Sequence, residues 1–407
     1  MKSTRYDIIV IGAGIVGLAT AMRLLERHPR LRLAVLDKEE GIARHQTGHN
    51  SGVLHRGVYY APGSLKARLC VRGAEELADF CARRGIRVDA VGKVIVALDD
   101  SELPALAELQ RRGAANGVRD LRLIGPGELR ELEPHAAGIR ALHSPHTAVV
   151  DFGAVALAIA SEVTSRGGEI RLGHRVRGIE ARADAVTVVT PGGELSATHV
   201  IACAGLQSDL VAGMSDREAA RRLKIVPFRG DYYVLRPERR SLVRGLIYPV
   251  PDPRFPFLGV HFTVRHDGEV WAGPNAVLAF RREGYGRFDI APRELVDALT
   301  YRGFWRVATR HWRVGAAEMW RDYFRPAFVR ALRRYVPEVR NEDLVPGPSG
   351  VRAQALAIDG TLVDDFVVER SGRTLHVRNA PSPAATSSLA IASLIADRAE
   401  QELGVGS

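Results

Sequence analysis

The chain has 407 residues, of which 46% are hydrophobic and 26% charged, and its formal net charge at pH 7 is +10. This length and balance exclude a disordered chain and predict a globular protein of two domains. The basic excess suits nucleic acid, anionic lipid or acidic small molecules, but no nucleic-acid-binding module is visible, so we expect no nucleic-acid partner. Three cysteines without metal-ligand spacing indicate free thiols, and with no signal peptide evident they predict a cytoplasmic protein.

The strongest local pattern is an apolar run followed by three spaced glycines near the start of the chain. Tyr6 to Ile11 predict a buried parallel strand, and G-x-G-x-x-G follows before a helix that begins near Ile15. Gly12 permits the turn, Gly14 lets a pyrophosphate approach the backbone, and Gly17 lets the helix pack closely on the strand. The N-terminus of that helix favours the phosphate charge, so the motif predicts a dinucleotide-binding turn.

The second predicted strand, Leu31 to Leu36, ends at an acidic residue. Asp37 lies twenty residues after Gly17, which is the position of the carboxylate that binds the ribose hydroxyls of a dinucleotide. The alternative is a surface residue at a strand end.

The segment from Arg44 to Tyr60 is rich in glycines, amides, hydroxyls and histidines, and it follows the second strand, where a chain passes back over a cofactor. The hydroxyls of Thr47 and Ser51 and the N–H groups from Gly48 to Gly52 are suited to a pyrophosphate or to the edge of a flavin. The alternative use of this loop is a zinc site made by three histidines: His45, His49 and His55. Because it has no carboxylate or thiol support, we expect no metal.

The middle of the chain alternates predicted helices and strands. The helices are Ser64 to Arg84, Glu102 to Asn116, Gly127 to Leu132, and Ala154 to Arg166 with Asp151 as its N-cap. The strands are Val91 to Leu98 and then a meander of Glu169 to Leu172, Val176 to Ile179, Ala185 to Thr190 and Leu195 to Ala202. The last strand runs into Cys203-Ala204-Gly205, small residues that suit a close approach to a dinucleotide.

Aromatic, proline-punctuated strands follow and predict an antiparallel sheet over the cofactor. They are Val226 to Leu235, Leu246 to Val250, Phe257 to Val264 and Glu269 to Gly273. Period-two alternation places His261 and Thr263 on one face. If that face meets the cofactor, His261 is a candidate base; otherwise it is a core histidine.

Residues 301–339 form a helical segment rich in arginine and tryptophan. Its spacing permits an amphipathic face against a membrane surface or a partner, and the alternative is that its aromatic residues are core.

The end of the chain predicts two strands, Leu362 to Glu369 and Leu375 to Asn379, and a helix to about Leu403. Small and hydroxyl residues from Ala380 to Ser388 open that helix. N–H groups there are suited to an anion such as the N1/O2 edge of a reduced flavin.

Five separated segments resemble the D-amino-acid oxidase-like superfamily of FAD oxidoreductases, and within it most closely the L-2-hydroxyglutarate oxidase or dehydrogenase group. These segments are His45 to His55, Gly57 to Tyr60, Gly259 to Phe262, Gly350 to Leu356 and Asn379 to Ser388. The resemblance implies FAD rather than NAD, and oxidation of L-2-hydroxyglutarate to 2-oxoglutarate, with oxygen or a quinone as electron acceptor. The chain departs from the pattern in having Asp37 where many relatives have Glu, and in the bulky Arg56 beside His55.

The resemblance also implies the fold class: mixed α/β, with a glutathione-reductase-like Rossmann domain for FAD and an interleaved antiparallel-sheet substrate domain. We expect the FAD domain to comprise residues 1–84, 140–215 and 346–407. The substrate domain would comprise residues 85–139 and 216–345. An amino-acid or other 2-hydroxy-acid oxidase of the same superfamily is the alternative function.

The resemblance and the local chemistry together give the candidate site residues. The base would be His261 or alternatively His55, taking the substrate hydroxyl proton. The substrate carboxylates need cationic or amide partners, for which the candidates are Arg352 first, then Lys66, Arg229, Arg281, Thr263 and Tyr60. The candidate FAD-binding residues are Gly12, Gly14, Ile15, Val16, Gly17, Asp37, Lys38, His45, Thr47, Gly48, Asn50, Ser51, Gly52, Val53, Val176, Ala204, Gly205, Arg352, Pro383, Ala384, Ala385 and Thr386.

Overall fold

The computed structural model of the chain describes residues 5–251 and 259–406. Its strands are β1 Arg5–Ile11, β2 Leu33–Leu36, β3 Val53–Leu54, β4 Val88–Asp89, β5 Lys93–Ala97, β6 Arg122–Ile124, β7 Arg140–Ser144, β8 Ala148–Val150, β9 Glu169–Arg171, β10 Gly178–Ala181, β11 Val186–Thr190, β12 Gly193–Ala202, β13 Leu223–Leu235, β14 Leu246–Pro249, β15 His261–Val264, β16 Val270–Gly273, β17 Val277–Leu278, β18 Leu344–Ala357, β19 Val367–Ser371 and β20 Thr374–Asn379.

Its helices are α1 Ile15–Arg27, α2 Leu65–Arg83, α3 Leu103–Ala115, α4 Pro126–Leu132, α5 Phe152–Ser165, α6 Ser208–Ser215, α7 Arg217–Arg222, α8 Pro292–Leu299, α9 Arg302–Arg310, α10 Trp312–Tyr323, α11 Arg325–Leu332 and α12 Ser388–Leu403. Among the described residues, no helix is both long and apolar enough to cross a membrane.

An eight-stranded sheet contains β1 at its centre, and five of its strands run parallel in the order β9-β2-β1-β12-β20. The chain moves from β1 to β2 on one side and later to β12 on the other. The carboxyl end of β1 therefore lies at a topological switch point, where open α/β sheets bind their ligands. The hairpin β10-β11 pairs antiparallel with the first half of β12, which confirms the last three strands of the predicted meander. Its predicted first strand, Glu169 to Leu172, is instead β9, which pairs parallel with β2 at the other edge of the sheet.

The core of this part lies between the sheet and four helices, α1, α2, α5 and α12. Leu18, Leu24 and Leu25 of α1 are at most 1% exposed, and they pack with buried residues of α5 and α12. Each such leucine contributes roughly 1.5–3 kcal/mol by leaving water. This packing fixes the direction in which α1 leaves the turn after β1.

A nine-stranded sheet has the order β17-β13-β16-β15-β14-β5-β7-β6, with β18 paired to β13. All its pairs are antiparallel except β14 with β5. Buried residues of α11, including Phe328 and Leu332, pack on one face, and Leu106 and Leu109 of α3 pack on the other. The fold is thus mixed α/β with a parallel and a largely antiparallel sheet, as predicted.

Several predicted elements change in the structure. The C-terminal strand predicted from Leu362 begins instead at Val367, and residues 361–366 form a loop with one isolated bridge. The prediction for 301–339 resolves into three helices, α9 to α11, broken at His311 and Phe324. The long strand β18 was not predicted as a strand. The predicted strand from Phe257 begins outside the described residues, and its described part is β15.

The predicted domain boundaries stay a prediction, but sheet membership corrects two of their edges. Residues 140–144 and 346–357 were assigned to the FAD domain, whereas β7 and the corresponding part of β18 pair within the nine-stranded sheet. Both times that the chain comes back to the parallel sheet, it does so later than the sequence indicated.

Candidate active site

A cavity of about 1030 Å³ extends from the carboxyl end of β1 to the face of the nine-stranded sheet. Drug-sized ligands occupy pockets of roughly 300–1,000 Å³, so this space suits a dinucleotide together with a small acid. The glycine turn and Asp37 line one end, and His261 and Arg352 line the other. Both sheets therefore contribute to one site.

The turn after β1 is built so that its backbone faces the cavity. A Cβ atom on Gly12 would lie 2.4 Å from the carbonyl oxygen of Cys203, and one on Gly17 would lie 2.0 Å from that of Gly12. A Cβ atom on Gly14 meets only Thr47 Oγ1 within 4 Å, at 3.5 Å. Gly12 and Gly17 are thus required by packing, whereas Gly14 leaves room in the cavity for a ligand.

Asp37 and Thr47 hold this turn in place. Asp37 accepts hydrogen bonds from the N–H of Ala13 at 2.6 Å and of Glu39 at 2.9 Å, and Thr47 Oγ1 accepts one from the N–H of Ile15 at 3.0 Å. Both line the cavity. The Thr47 hydroxyl keeps its proton to donate to an anion at the N-terminus of α1, where the first-turn N–H groups have no partner within the helix.

The loop after β2 is braced by Asn50, whose side-chain amide donates to the carbonyl of Thr47 at 2.7 Å and accepts from the N–H of Gly52 at 2.8 Å. Gly52 has φ +75° and has no side chain to place in the cavity. Its carbonyl accepts a hydrogen bond from the N–H of Val150. A Cβ atom on Gly48 would lie 2.6 Å from a backbone oxygen. Gly48 and Gly52 therefore shape the loop and do not line the cavity, contrary to their predicted role.

A cluster of charged groups lies at the Asp37 end of the cavity. Ligand atoms of Glu39, His45 and Glu283 lie within 4.8 Å of one another, as metal ligands would. However, Lys38 Nζ donates to Glu283 at 2.8 Å and lies 3.0 Å from His45 Nε2. The ammonium group already supplies the positive charge there. Within residues 5–251 and 259–406, the three histidines considered for zinc do not form such a group.

The segment before α12 forms the wall opposite the glycine turn. Residues 380–386 line the cavity, and Thr386 Oγ1 accepts from the N–H of His55 at 3.1 Å and donates to the carbonyl of Val53 at 3.3 Å. These bonds join the start of the last helix to the loop after β2. The predicted small, hydroxyl-rich opening of α12 therefore faces the cavity.

His261 lies at the other end, on β15. Its ring stacks on that of Tyr248, with ring centroids 3.9 Å apart, and its Nδ1–H donates to the carbonyl of Gly259 at 2.9 Å. This bond leaves the Nε2 lone pair available as a base. Burial, with the nearby charges of Lys93 and Arg352, lowers the pKa of His261 to about 3. The imidazole is therefore neutral at pH 7.

His55 and Lys66 lie close to His261 along the same wall. Burial and the charges of Lys93, His261 and Lys66 hold the pKa of His55 well below its usual value. Lys66 donates to Asp364 at 2.7 Å, and its ammonium lies 5.1 Å from the ring centroid of Tyr60. His55, Tyr60 and Lys66 all line the cavity as predicted.

Arg352 lies on β18, opposite Phe228 of β13, and lines the cavity. Burial lowers the pKa of Arg352, and Tyr232 acts in the opposite direction. Even so, an arginine stays charged at physiological pH. A positive group therefore faces the same space as the histidines.

Three predicted substrate ligands lie outside the cavity wall. Arg229 donates to both carboxylate oxygens of Asp231, at 2.8 and 3.1 Å, and to the carbonyl of Gly286, and it does not line the cavity. Thr263 is 1% exposed and also lies outside the cavity wall. Arg281, a further candidate, is exposed and does not line the cavity. Strand alternation placed Thr263 on the same face as His261, but it could not show the neighbours of any of these three residues.

The other predicted FAD-binding residues all line the cavity: Gly12, Gly14, Ile15, Val16, Gly17, Asp37, Lys38, His45, Thr47, Asn50, Ser51, Val53, Val176, Ala204, Gly205, Arg352, Pro383, Ala384, Ala385 and Thr386. Sequence reasoning missed Tyr232 and Tyr248, which line it near Arg352 and His261. The aromatic character of β13 and β14 was the available signal. It also missed Lys93, a charged residue in an apolar strand.

Comparison with known proteins supports this geometry. The family model for FAD dependent oxidoreductases matches residues 7–398. The chain belongs to the FAD dependent oxidoreductase family. It is 49% identical over 418 residues to the mitochondrial L-2-hydroxyglutarate dehydrogenase of Nematostella vectensis, covering 98% of this chain and 91% of that protein. It is 46% identical over 392 residues to the L-2-hydroxyglutarate dehydrogenase of Indibacter alkaliphilus, covering 96% of this chain and 98% of that protein.

Among solved structures, the chain is similar to the L-alpha-glycerophosphate oxidase of Mycoplasma pneumoniae with FAD bound, with a TM-score of 0.76 and 20% identity. The match covers 97% of this chain and 94% of that one. At this identity the likeness shows the fold.

FAD is the cofactor of this oxidoreductase, and the residues fit it. The open face of Gly14, the Thr47 hydroxyl and the N-terminus of α1 form a cradle for a pyrophosphate, which a side chain at Gly14 would fill. We use "cradle" below for residues 12–17 and Thr47.

Proposed function

We propose that this oxidoreductase oxidises the 2-hydroxyl group of L-2-hydroxyglutarate to give 2-oxoglutarate. The observation that carries the proposal is a cavity that joins the dinucleotide cradle to a neutral, buried histidine and a buried arginine. The names of the relatives at 46–49% identity supply the substrate class.

When bound, FAD supplies the two-electron acceptor for the hydride that leaves C2. The chain's own part is to move a proton and to position charge. His261 Nε2 takes the proton of the 2-hydroxyl, because its Nδ1–H is already engaged with the Gly259 carbonyl. The Tyr248 ring stacked on it fixes the plane of the imidazole. His55, neutral and in the same wall, is the alternative base.

The charge of the wall matches a dicarboxylate. Arg352 offers a guanidinium to one substrate carboxylate, which it can bind through two parallel hydrogen bonds. Lys66 and Tyr60 line the same wall and are further ligands in the proposal. The residues proposed to contact FAD are the predicted FAD-binding residues that line the cavity, as named above.

An amino acid oxidase is the alternative, and the arrangement of carboxylates disfavours it. An amine substrate binds as an ammonium ion and needs an anionic partner. Four carboxylates of the described residues line the cavity, and each already has partners: Asp37 with backbone N–H groups, Glu283 with Lys38, Asp364 with Lys66, and Glu108 with Arg112.

A dye-coupled assay with purified flavoprotein tests the proposal. L-2-hydroxyglutarate should be turned over, with D-2-hydroxyglutarate, L-lactate and a panel of amino acids far slower. Turnover of amines alone would replace the proposed function with the alternative.

We propose further that electrons pass to oxygen or a quinone, with α9 and α10 resting on the inner face of the cell membrane. Several large apolar side chains of these helices are exposed: Trp305 at 54%, Trp312 at 63% and Trp320 at 61%. Arg310 and Arg313 are exposed beside them. An apolar surface edged by arginines suits an anionic lipid headgroup layer. Separate reoxidation of the reduced enzyme by oxygen and by a quinone analogue identifies the acceptor.

A further inference from the structure

Lys93 is a buried lysine whose position the proposed mechanism does not use. It begins β5, it is 3% exposed, and it pairs with Leu246 of β14 and Ser144 of β7 through the backbone. Within residues 5–251 and 259–406, its ammonium makes no hydrogen bond or ion pair with a side chain. Burying a charge without a partner is unfavourable. Such a residue is therefore a candidate for function.

The neighbours of Lys93 are aromatic rings that line the cavity. Its Nζ lies 4.2 Å from the ring centroid of Tyr248 and 5.2 Å from that of Tyr59. The Tyr248 ring is the one that stacks on His261. Lys93 itself is not among the described residues that line the cavity. The two tyrosines, which we call the aromatic wall, thus stand between its charge and the substrate space.

Apart from the faces of the two tyrosine rings, no group around Lys93 among the described residues compensates its charge. The groups that interact with it electrostatically are Cys70 of α2, His55 and His261. None is a carboxylate, and both histidines are neutral at pH 7. Its positive potential is therefore directed at the two candidate bases and at the cavity beyond the aromatic wall. Low-dielectric surroundings strengthen such an interaction compared with water.

We propose that Lys93 is a positioning residue, whose positive charge behind the aromatic wall attracts the dianionic substrate and keeps His55 and His261 unprotonated to accept its proton. This inference rests on the proposed function. Arg352 contacts one carboxylate directly, whereas Lys93 acts across Tyr59 and Tyr248.

A pH dependence follows from this position. Burial lowers the pKa of Lys93 to about 7, so near neutral pH the free enzyme holds both protonation states. A bound dianion favours the ammonium form, so above pH 7 binding takes up a proton and weakens by roughly tenfold per pH unit. The groups that face Lys93 keep their charge state between pH 7 and 9: His261 has a pKa of about 3, burial holds the pKa of His55 well below its usual value, Cys70 has a pKa of about 12, and burial raises the pKa values of Tyr59 and Tyr248.

The test measures 2-oxoglutarate binding to the FAD-loaded enzyme, by perturbation of the flavin spectrum from pH 6 to 9, and steady-state kinetics with L-2-hydroxyglutarate. Lys93→Met should bind weakly with no pH slope, and raise KM by roughly tenfold or more with kcat little changed. Lys93→Arg should restore tight binding without the slope, because an arginine stays charged.

The control is Lys224→Met. Lys224 also lies over a tyrosine, 5.4 Å from the ring centroid of Tyr301, but it is paired with Asp297 and lies away from the cavity. This variant should keep the wild-type binding curve. Thermal unfolding gives a second readout, because removal of an unpaired buried charge should leave Tm unchanged or raised in Lys93→Met.

A wild-type pH slope and KM in Lys93→Met would overturn the inference and leave the proposed function intact. A lowered Tm together with unchanged binding would also overturn it, since that is the behaviour of a lysine with only a packing role. Absence of L-2-hydroxyglutarate turnover in the wild-type enzyme would instead overturn the proposed function and, with it, this inference.

Discussion

The two ends of the cavity are built by different means. At the cradle, backbone atoms face the cavity. The residues there are glycines, and because they have no Cβ atom they leave room for the pyrophosphate. At the substrate end, long side chains from β14, β15 and β18 face the cavity, and burial lowers the pKa values of His261 and Arg352. A cradle made of backbone tolerates almost no change of residue, whereas a wall made of side chains can change its charge and therefore its substrate.

The sharpest way to break this contrast is to add a side chain to the cradle. Gly14→Val should fold, because only Thr47 Oγ1 lies within 4 Å of the new Cβ atom, but its methyl groups would fill the pyrophosphate space. We expect a folded protein with little flavin and no turnover, measured by the ratio of flavin to protein absorbance. Gly127→Val is the control, since nothing lies within 4 Å of a Cβ atom there. Stoichiometric flavin in Gly14→Val would show that the pyrophosphate lies elsewhere.

At the substrate end, His261→Gln should keep FAD and slow flavin reduction by roughly 10²–10⁴-fold, the usual contribution of a general base. Because its pKa in the free enzyme is about 3, the imidazole stays neutral from pH 7 to 5. Protonation of this base should therefore cause no fall in the wild-type kcat/KM over that range. Stopped-flow reduction that stays fast in His261→Gln and collapses in His55→Gln, with both proteins fully loaded, transfers the role to His55.

The cradle and the substrate end together show how much of the site the sequence could predict. The cradle could be predicted because its function depends on residues that are adjacent in the chain: the glycine spacing, and Asp37 at the end of the next strand. Arg352 and His261 were found through their motifs. Arg229 lies outside the cavity wall because it is held by Asp231, two residues along the same strand, and by the carbonyl of Gly286 and the carboxylate of Asp322, which come near it only in the fold. Thr263 is buried outside that wall.

Lys93 and Tyr248 were missed for the same reason. Each looks like an ordinary strand residue until β5 pairs with β14 and brings the ammonium within 4.2 Å of the ring. In the fold, the parallel sheet followed from apolar runs and glycines. The strand β18 did not, because its start, Leu344 to Gly350, contains two prolines and two glycines.

Arg352 and Arg229 lie in the same sheet, and only the first lines the cavity, so their variants should have different effects. Arg352→Met should raise KM for L-2-hydroxyglutarate by roughly 10–100-fold, the equivalent of one hydrogen-bonded charge contact. Arg229→Met should leave KM nearly unchanged and lower the free energy of unfolding by roughly 1.5–3 kcal/mol, because it removes one of the two arginines, Arg229 and Arg287, that pair with Asp231 and the buried Asp322. Urea unfolding and steady-state kinetics on both variants check this. A raised KM in Arg229→Met, with an unchanged KM and a lowered unfolding free energy in Arg352→Met, would place Arg229 in the substrate site instead.

The smallest expected effect concerns the outer surface. Arg310→Gln with Arg313→Gln should weaken sedimentation with anionic vesicles, by roughly 1 kcal/mol per residue, and the loss should disappear in high salt. Arg321 and Arg325 are unsuitable for this test, because one pairs with Glu318 and the other donates to the carbonyl of Leu344. Arg221→Gln with Arg222→Gln, exposed on α7, is the matched control. Equal, salt-insensitive binding by all three proteins would rule out this face as the membrane contact.

The central claim is that one cavity brings FAD and an L-2-hydroxy dicarboxylate together. Anaerobic mixing of the flavoprotein with L-2-hydroxyglutarate in a stopped-flow spectrometer tests it most directly, with 2-oxoglutarate quantified after a single turnover. We predict loss of oxidised-flavin absorbance, one 2-oxoglutarate formed per flavin reduced, and no comparable reduction by the D-enantiomer. A flavin that stays oxidised with L-2-hydroxyglutarate but is reduced by an amino acid would contradict the account.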